Sequence, residues 1–495
     1  MTAATYYVTT TIPYVNARPH LGFALELVQA DVLARHRRQR GDAVRLLSGT
    51  DDNSLKNVLA AEAESVSTQD LVDRNAGAFE ALREPLGLSF DDFIRTSRDP
   101  RHRPGVERLW RACARAGDLY RKHYEGLYCV GCERFYAPAE LADGRCPEHG
   151  TEPQRVAEEN WFFRLSRYQD QLLDLIRAGR LRIEPAARRN EVLAFIAAGL
   201  EDFSVSRSHT RARGWGIPVP DDEDQVVYVW WDALGNYVTS LGYGTAGEDY
   251  DRWWVRADRR VHLVGKGVVR FHAVYWPAML LSAGEPLPTD VLVHDYLTAE
   301  GRKISKSSGA VVDPVALVER FGVDAVRWWL LREVPRVGDA DFTVDRLAAR
   351  YERDLANDLG NLVNRVVSMV HRYRGGVPGP YQLDEAGPLV AACRAAPGRV
   401  DTALADFDFR QATAAVWRVV EEANRYVEES RPWHLARAAD APALDRALGL
   451  LLAACQVVGD LLVPFLPAAA ARITVQCTPV GGRLPEPHPL FPRVQ

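Results

Sequence analysis

Lysine is the residue this chain most conspicuously lacks: among 61 basic residues it occurs only at 56, 122, 266, 303 and 306. Compositional bias accounts for the total. It does not account for three of the five falling between 266 and 306, where a compact ammonium and a planar guanidinium do different work. Cysteine is also sparse, seven in 495 residues, odd in number and scattered. That excludes a disulfide framework and makes a reducing cytoplasm the expected compartment. No uninterrupted apolar run approaches about 18 residues, so no membrane span is expected. The opening MTAATYYVTTTIPYVN has no basic region followed by an apolar one, so no signal peptide is expected either. There is no surplus of positive charge: 66 acidic residues give a formal net charge of -5. A globally basic nucleic-acid coat is therefore excluded, while a local basic face is allowed. Repeats and low-complexity tracts are missing too. What remains, 47% hydrophobic and 26% charged, is an ordinary globular composition, long enough for about three domains.

The pattern begins with TYYVTT, a β-branched and aromatic run that reads as a buried strand. A Pro- and Gly-bearing loop, PYVNARPHLGF, leads into the helical pattern ALELVQADVLARHRRQRG. The apolar run AVRLL then opens into the polar cluster SGTDDNS. Strand, loop, helix and strand in succession form the βαβ unit of a doubly wound parallel sheet, whose ligands sit at the carboxyl ends of strands. The loops at 16–22 and 48–54 are thus placed for a site. The texture changes at 116–225, which reads as an inserted domain between two halves of the sheet domain, 1–115 and 226–300. QVVYVWWDALGNYV and VHLVGKG read as the sheet resuming. Residues 301–350 form a connecting region that carries a lysine-bearing loop. Over 351–495 Leu362, Val363, Val366, Val367, Val370 and Tyr373 keep helical spacing, which predicts a helical bundle with a long loop at 375–388.

Three clusters carry chemistry. Cys129, Cys132, Cys146 and His149 make two knuckles at structural-zinc spacing, and four protein ligands would close the tetrahedral shell against catalysis. Pro19-His20-Leu21-Gly22-Phe23 opens a helix, where Gly22 lets a phosphate approach backbone N–H groups and His20 can donate to it. Lys303-Ile304-Ser305-Lys306-Ser307-Ser308-Gly309 sets two ammonium groups in a Ser/Gly loop, suited to charge building on a departing pyrophosphate.

HLGF and KISKS resemble the two signatures, HIGH and KMSKS, of class I aminoacyl-tRNA synthetases. From about residue 5 to 440 the chain resembles the methionyl-tRNA synthetase family with one zinc knuckle pair. The stretches that carry this include YYVTTTIPYVNARPHLG, YEGLYCVGCERFY, VSRSHTRARGWGIPVP, YVWWDALGNYV, GKGVVRFHAVYWPAML, NDLGNLVNR and NRYVEESRPWHLA. The resemblance implies methionine-tRNA ligase activity: ATP-dependent formation of methionyl-adenylate, then transfer to the tRNA 3′ end. It implies Mg²⁺ accompanying ATP and a structural Zn²⁺. It assigns the amino-acid site to Ile12, Tyr14, Trp230, Ala233, Tyr237, Phe271, His272 and Trp276, with Asp51 holding the α-ammonium. An aromatic wall suits a polarisable thioether, with Tyr237 and His272 able to hydrogen-bond near sulfur. ATP falls to His20, Gly22, Lys303, Ser305, Lys306 and Ser307, of which His20, Lys303 and Lys306 are the catalytic set. Anticodon recognition falls to Ser368, Arg372 and Trp433, a base-stacking ring with polar readers. A monomer is expected, since no RNA-binding module follows the bundle.

Three positions depart from the family pattern. Phe23 replaces the second histidine of the first signature, Asp52-Asn53-Ser54 stands where Glu-His-Gly is usual, and Gly265-Lys266-Gly267 lacks the carboxylate of Gly-Lys-Asp. Each would cost about 1 to 3 kcal/mol of transition-state binding if uncompensated. These departures raise two alternatives: a paralogue passing its aminoacyl group to a small molecule, and an inactive tRNA- or nucleotide-binding module. The retained His20, Asp51, Lys303 and Lys306 speak against the second.

Overall fold

The computed structural model describes residues 3–131, 134–148, 150–245, 247–299, 301–304, 312–379 and 387–492. The chain forms two compact units. The first comprises residues 1–19, 41–82 and 90–294; the second comprises 20–40, 83–89 and 295–495.

The core of the first unit is a six-stranded parallel sheet of Thr5–Thr9 (β1), Ala43–Thr50 (β2), Asp92–Arg95 (β3), Arg182–Glu184 (β4), Arg259–Gly265 (β5) and Asp290–His294 (β6). Its order is β3-β2-β1-β5-β6-β4, every neighbour parallel. The chain runs from β1 to one side first and returns to the other side much later. The crevice at the carboxyl ends of β1 and β5 is therefore the topological switch point, the usual ligand position in such sheets. Tyr7, Val8, Thr9, Leu46, Leu47, Val261, Leu263 and Val264 are buried, as expected of parallel strands covered on both faces. Gly49 has no room for a side chain, because a Cβ there would lie 2.3 Å from the Ile94 carbonyl oxygen.

Two smaller antiparallel sheets interrupt this one. Leu119–Cys129 pairs with Arg134–Tyr136 and Gln154–Phe163, and the last of these pairs with Phe203–Ser204. Asp222–Val227 pairs with Pro218–Val219 and Ser206–Ser208. Two expectations need correction here. QVVYV does not return the chain to the parallel sheet but ends this antiparallel ribbon, and the parallel sheet resumes at β5. Conversely β4 lies inside 116–225, where only inserted structure was expected. A short run of β-branched residues fixes strand character but not which sheet receives it.

The second unit is mainly helical: Leu21–Gln39, Pro314–Phe321, Val323–Arg332, Asn361–Arg374, Pro388–Ala405, Phe409–Ser430, Ala441–Leu462 and Pro467–Cys477 are its longer helices. A three-stranded sheet of Leu297–Ala299, Arg302–Lys303 and Ala340–Phe342 accompanies them. The bundle expected from the Leu362-to-Val370 periodicity is present, and all five of those aliphatic side chains are buried. Ala441–Leu462 is long and apolar enough to cross a membrane, but its apolar residues, Leu448, Leu451, Ala454, Cys455 and Val458 among them, are packed inside the bundle. The unit also buries an ion pair, Arg327 to Asp31 at 2.8 Å, with the guanidinium donating to the carbonyls of Leu86, Pro464 and Phe465.

Candidate functional site

At the carboxyl edge of β2 the chain runs Thr50-Asp51-Asp52-Asn53-Ser54 into the helix Leu55–Glu64. Tyr14 and Asp51 bridge in parallel, and Asp51 N–H donates to the Pro13 carbonyl (2.9 Å). The loop after β1 is thereby laid along the end of β2. Asp51 is buried, and its Oδ1 accepts from Asn53 N–H at 3.2 Å. Asn57 Nδ2 donates to the carbonyls of both Asp51 and Asp52, and Trp215 Nε1 donates to the latter at 2.8 Å. Asp52 is buried beneath Thr50 and Ser97, whose hydroxyls donate to its carboxylate at 2.8 and 2.6 Å. Burial pushes the Asp52 carboxyl above its usual range, against the opposing pull of Ser97, Arg95 and Thr50.

One of the three departures from the family pattern, Asp52-Asn53-Ser54, is built into this loop. Ser54 caps the helix by accepting from Lys56 N–H. Asn53 Nδ2 donates to Asp232 Oδ2 at 2.7 Å, across 179 residues of sequence. The other Asp232 oxygen meets His102 Nε2, and His102 Nδ1 meets the Thr239 hydroxyl at 2.8 Å. Asn53, Asp232, His102 and Thr239 form one continuous network, buried except at Asn53, which is half-buried. It ties the Asp51 loop to the helix Val229–Thr239. Neither Asp232 nor His102 stands out in the sequence, since each finds its partner only through long-range contact.

That helix presents Trp230, Ala233 and Tyr237 at i, i+3 and i+7, on one face. Trp230 stacks on Phe271 with centroids 3.8 Å apart and planes 7° apart, and Tyr14 meets Trp230 edge-on at 6.3 Å. Tyr237 lies 6.0 Å from Trp276. His272 Nδ1 is 2.9 Å from the Val268 carbonyl, so that nitrogen carries the proton. His272 Nε2 therefore accepts from the Tyr237 hydroxyl at 2.7 Å. The two polar groups expected beside sulfur thus bond to each other. Ile12 packs below, its Cγ2 the third-nearest atom to any Cβ at position 49. Every residue that the sequence assigns to amino-acid binding, Asp51 included, lies in the first unit.

Of the residues expected to meet ATP, His20, Gly22 and Lys303 lie in the second unit. His20 is the N-cap of Leu21–Gln39, with Nδ1 accepting from Gly22 N–H at 3.1 Å. The amide expected to face phosphate is thus engaged by the histidine ring. Phe23 is buried, as an aromatic core residue rather than a polar group. Lys303 pairs with Thr298 through the backbone, while Ser305, Lys306 and Ser307 lie outside the described residues. Of the expected zinc ligands, Cys129 and Cys146 share a small buried core with Tyr136, and Cys132 and His149 lie outside the described residues. Among the described residues no group of three metal-ligating side chains occurs. In the bundle, Ser368 and Arg372 sit one turn apart, half-buried and exposed, and Trp433 is half-buried in Pro432–Arg437. Arg365, Arg374 and Arg425 pair with Glu428, Asp445 and Glu422.

The family described as tRNA synthetases class I (M) matches residues 6–158 and 136–367. A methionine–tRNA ligase of Brucella suis is 41% identical, over 100% of this chain and 98% of its own length. One from Mycobacterium bovis is also 41% identical, over 99% and 98%. Among solved structures, Mycobacterium tuberculosis methionyl-tRNA synthetase in complex with methionyl-adenylate matches with a TM-score of 0.92 and 40% identity, covering 99% of this chain and 100% of that one. The free state of the same enzyme matches with a TM-score of 0.85. With its doubly wound sheet and helical unit this chain matches these proteins along essentially its whole length, and it belongs to the methionyl class I tRNA synthetases.

Proposed function

We propose that this protein is a methionine–tRNA ligase. It activates methionine with ATP and passes the methionyl group to the 3′-terminal ribose of tRNA. The observation that carries this reading is the match over 99% of the chain to a synthetase structure holding methionyl-adenylate. In the first step a methionine carboxylate oxygen attacks the α-phosphorus of ATP, the acyl–phosphate bond forms, and pyrophosphate leaves with the bridging oxygen. In the second a tRNA ribose hydroxyl attacks the acyl carbon and AMP departs.

In this reading Asp51 holds the substrate α-ammonium through its buried carboxylate, oriented by Asn53 N–H. Ile12, Tyr14, Trp230, Ala233, Tyr237, Phe271, His272 and Trp276 take the side chain. Aromatic faces suit a thioether, which offers polarisability rather than hydrogen bonds. His20, Gly22, Lys303, Ser305, Lys306 and Ser307 receive the phosphates. The two lysines stabilise charge that grows only as pyrophosphate leaves, the kind of contact that accelerates chemistry rather than merely tightening binding. Mg²⁺ would accompany ATP. Cys129, Cys132, Cys146 and His149 would hold a structural zinc: two of these thiols are buried in one small core, which fits a closed thiolate site. Ser368, Arg372 and Trp433 form the anticodon surface. None of the six described cysteines is joined in a disulfide, in keeping with a reducing cytoplasm.

Amino-acid-dependent ATP–pyrophosphate exchange across a panel of amino acids, followed by charging of tRNA, tests the reading. Methionine is expected to support exchange above the other amino acids and to appear on tRNA. Absence of exchange with methionine overturns it. Exchange without tRNA charging would point to a small-molecule acceptor instead, a reading that full-length kinship with methionine–tRNA ligases does not favour.

A further inference from the structure

We propose that His262, which is not one of the residues assigned to the amino-acid site, is a positioning residue for methionine selection: it fixes the indole plane of Trp276 and with it the shape of the aromatic wall. The inference rests on the reading that this cluster takes the methionine side chain.

His262 sits within β5 between Val261 and Leu263, where a parallel strand normally carries only aliphatic side chains. Its ring is wholly buried. A buried imidazole is costly unless both nitrogens find partners, and both do. Trp276 Nε1 donates to His262 Nε2 at 3.2 Å, and Nδ1 lies 2.6 Å from the hydroxyl of Thr9, the residue paired with it on the neighbouring strand β1. An indole N–H can only donate. Nε2 must therefore accept, the proton rests on Nδ1, and Thr9 receives it. The ring is also clamped by faces: Tyr237 lies 4.1 Å away at 31°, and Trp254 lies 6.0 Å away at 26°. Burial first, then His272 and Arg260, hold the imidazole far below its ordinary range, so this tautomer persists at neutral pH.

Trp276 needs such a partner because of where it stands. It begins the helix Trp276–Ala283, directly after Phe271–Tyr275, a π-helical turn. Widened turns of this sort loosen the regular backbone ladder and often mark functional positions. The backbone alone therefore does not dictate the direction of the indole. His262 does, and its own position is set by two central strands of the sheet. The chain of restraint runs from Thr9 through His262 to Trp276, with the Tyr237 ring tilted against the middle member.

Exchange kinetics on His262→Gln, His262→Asn and His262→Leu, alone and with Trp276→Phe, test the proposal. A glutamine amide reaches the position of Nε2 and can accept from the indole, whereas asparagine reaches only that of Nδ1. His262→Asn and His262→Leu are expected to raise the methionine KM about tenfold, with kcat and the KM for ATP changed by less than about twofold. His262→Gln should stay within about threefold of wild type, and preference for methionine over norleucine should fall in step with KM. In the Trp276→Phe background, which has no N–H to seat, His262→Asn should cost less than about twofold more. Equal losses for glutamine and asparagine, or full additivity with Trp276→Phe, would overturn the proposal. The glutamine–asparagine comparison decides even if the leucine variant fails to fold. Wild-type protein that does not exchange with methionine overturns the functional reading itself; wild-type exchange with an unmoved KM in the variants overturns only the role of His262.

Discussion

The two units both bury polar side chains, and they do so to different ends. In the second unit Asp31 and Arg327 act as a staple. The guanidinium binds three carbonyls from two chain segments, and the carboxylate accepts from Ser89 and Arg35 as well. Each nitrogen of the Arg327 guanidinium meets an acceptor inside the protein. In the first unit the buried groups form a directional chain leading to the strand ends, from Thr239 through His102 and Asp232 to Asn53 and Asp51. A staple closes on itself, whereas this chain ends at Asp51, the group proposed to hold the substrate α-ammonium. The difference offers a criterion for telling structural from functional polar burial.

That contrast is sharpest for stability. Arg327→Met should destabilise the protein by about 3 to 5 kcal/mol, because Asp31 and three carbonyls lose their shared donor. Thermal unfolding would measure it, and a loss below about 1 kcal/mol would break the distinction. Lys306→Ala should reduce the rate of adenylate formation about a hundredfold to a thousandfold while barely changing methionine affinity, as expected of a contact made in the transition state. Equal losses in rate and affinity would assign that lysine to folding instead. Asn53→Ala leaves one Asp232 oxygen without its donor, at a cost of about 1 to 3 kcal/mol. The expected signature is a raised methionine KM with an almost unchanged unfolding temperature; a change in stability alone would make the first network a staple too. Trp433→Ala should lower tRNA charging about tenfold through lost base stacking, with pyrophosphate exchange untouched.

Acid titration separates the units with a smaller effect. Burial raises the Asp31 carboxyl, but Arg327, Arg35 and Ser89 together hold it below its ordinary value of 3.8. A depressed carboxylate stabilises the fold fully above the unfolded value, and that contribution is lost as pH falls through the folded one. Asp31→Asn should therefore flatten the decline in stability on the acid side of pH 3.8. Asp52, pushed upward by burial, runs the other way: its ionisation weakens the fold as pH rises from the unfolded value towards the folded one. Asp52→Asn should remove that loss, and unfolding curves measured across mildly acidic pH would show the two slopes opposed.

Much of the architecture was legible in residue order. TYYVT and AVRLL carry enough β-branched and aliphatic character to fix β1 and β2. The bundle follows from aliphatic spacing. What escaped was non-local. β4, with the sequence RIE, has no apolar signature because it is a three-residue edge strand. QVVYV looks like a core strand in either sheet. Asn53 read as the loss of a histidine, because nothing near it in sequence announces Asp232. His262 read as one polar letter in a strand, and only the fold sets it under an indole. The aromatic residues proposed for the site rest on the family resemblance of the surrounding motifs, since such side chains look the same in sequence when they serve only a core.

Gly49 bears on how the protein could be redesigned. A Cβ there would meet the Ile94 carbonyl oxygen at 2.3 Å and the Ile94 side chain at 2.7 Å, and backbone cannot step aside as a flexible side chain can. A Cβ there would also come within 3.1 Å of Ile12 Cγ2, so on the proposed assignment of Ile12 to the amino-acid site that side cannot be built up to favour a shorter amino acid. A library meant to change which amino acid this protein accepts should leave position 49 alone. On the proposed site assignment it should vary Ala233 and Phe271, the latter stacked on the Trp230 ring.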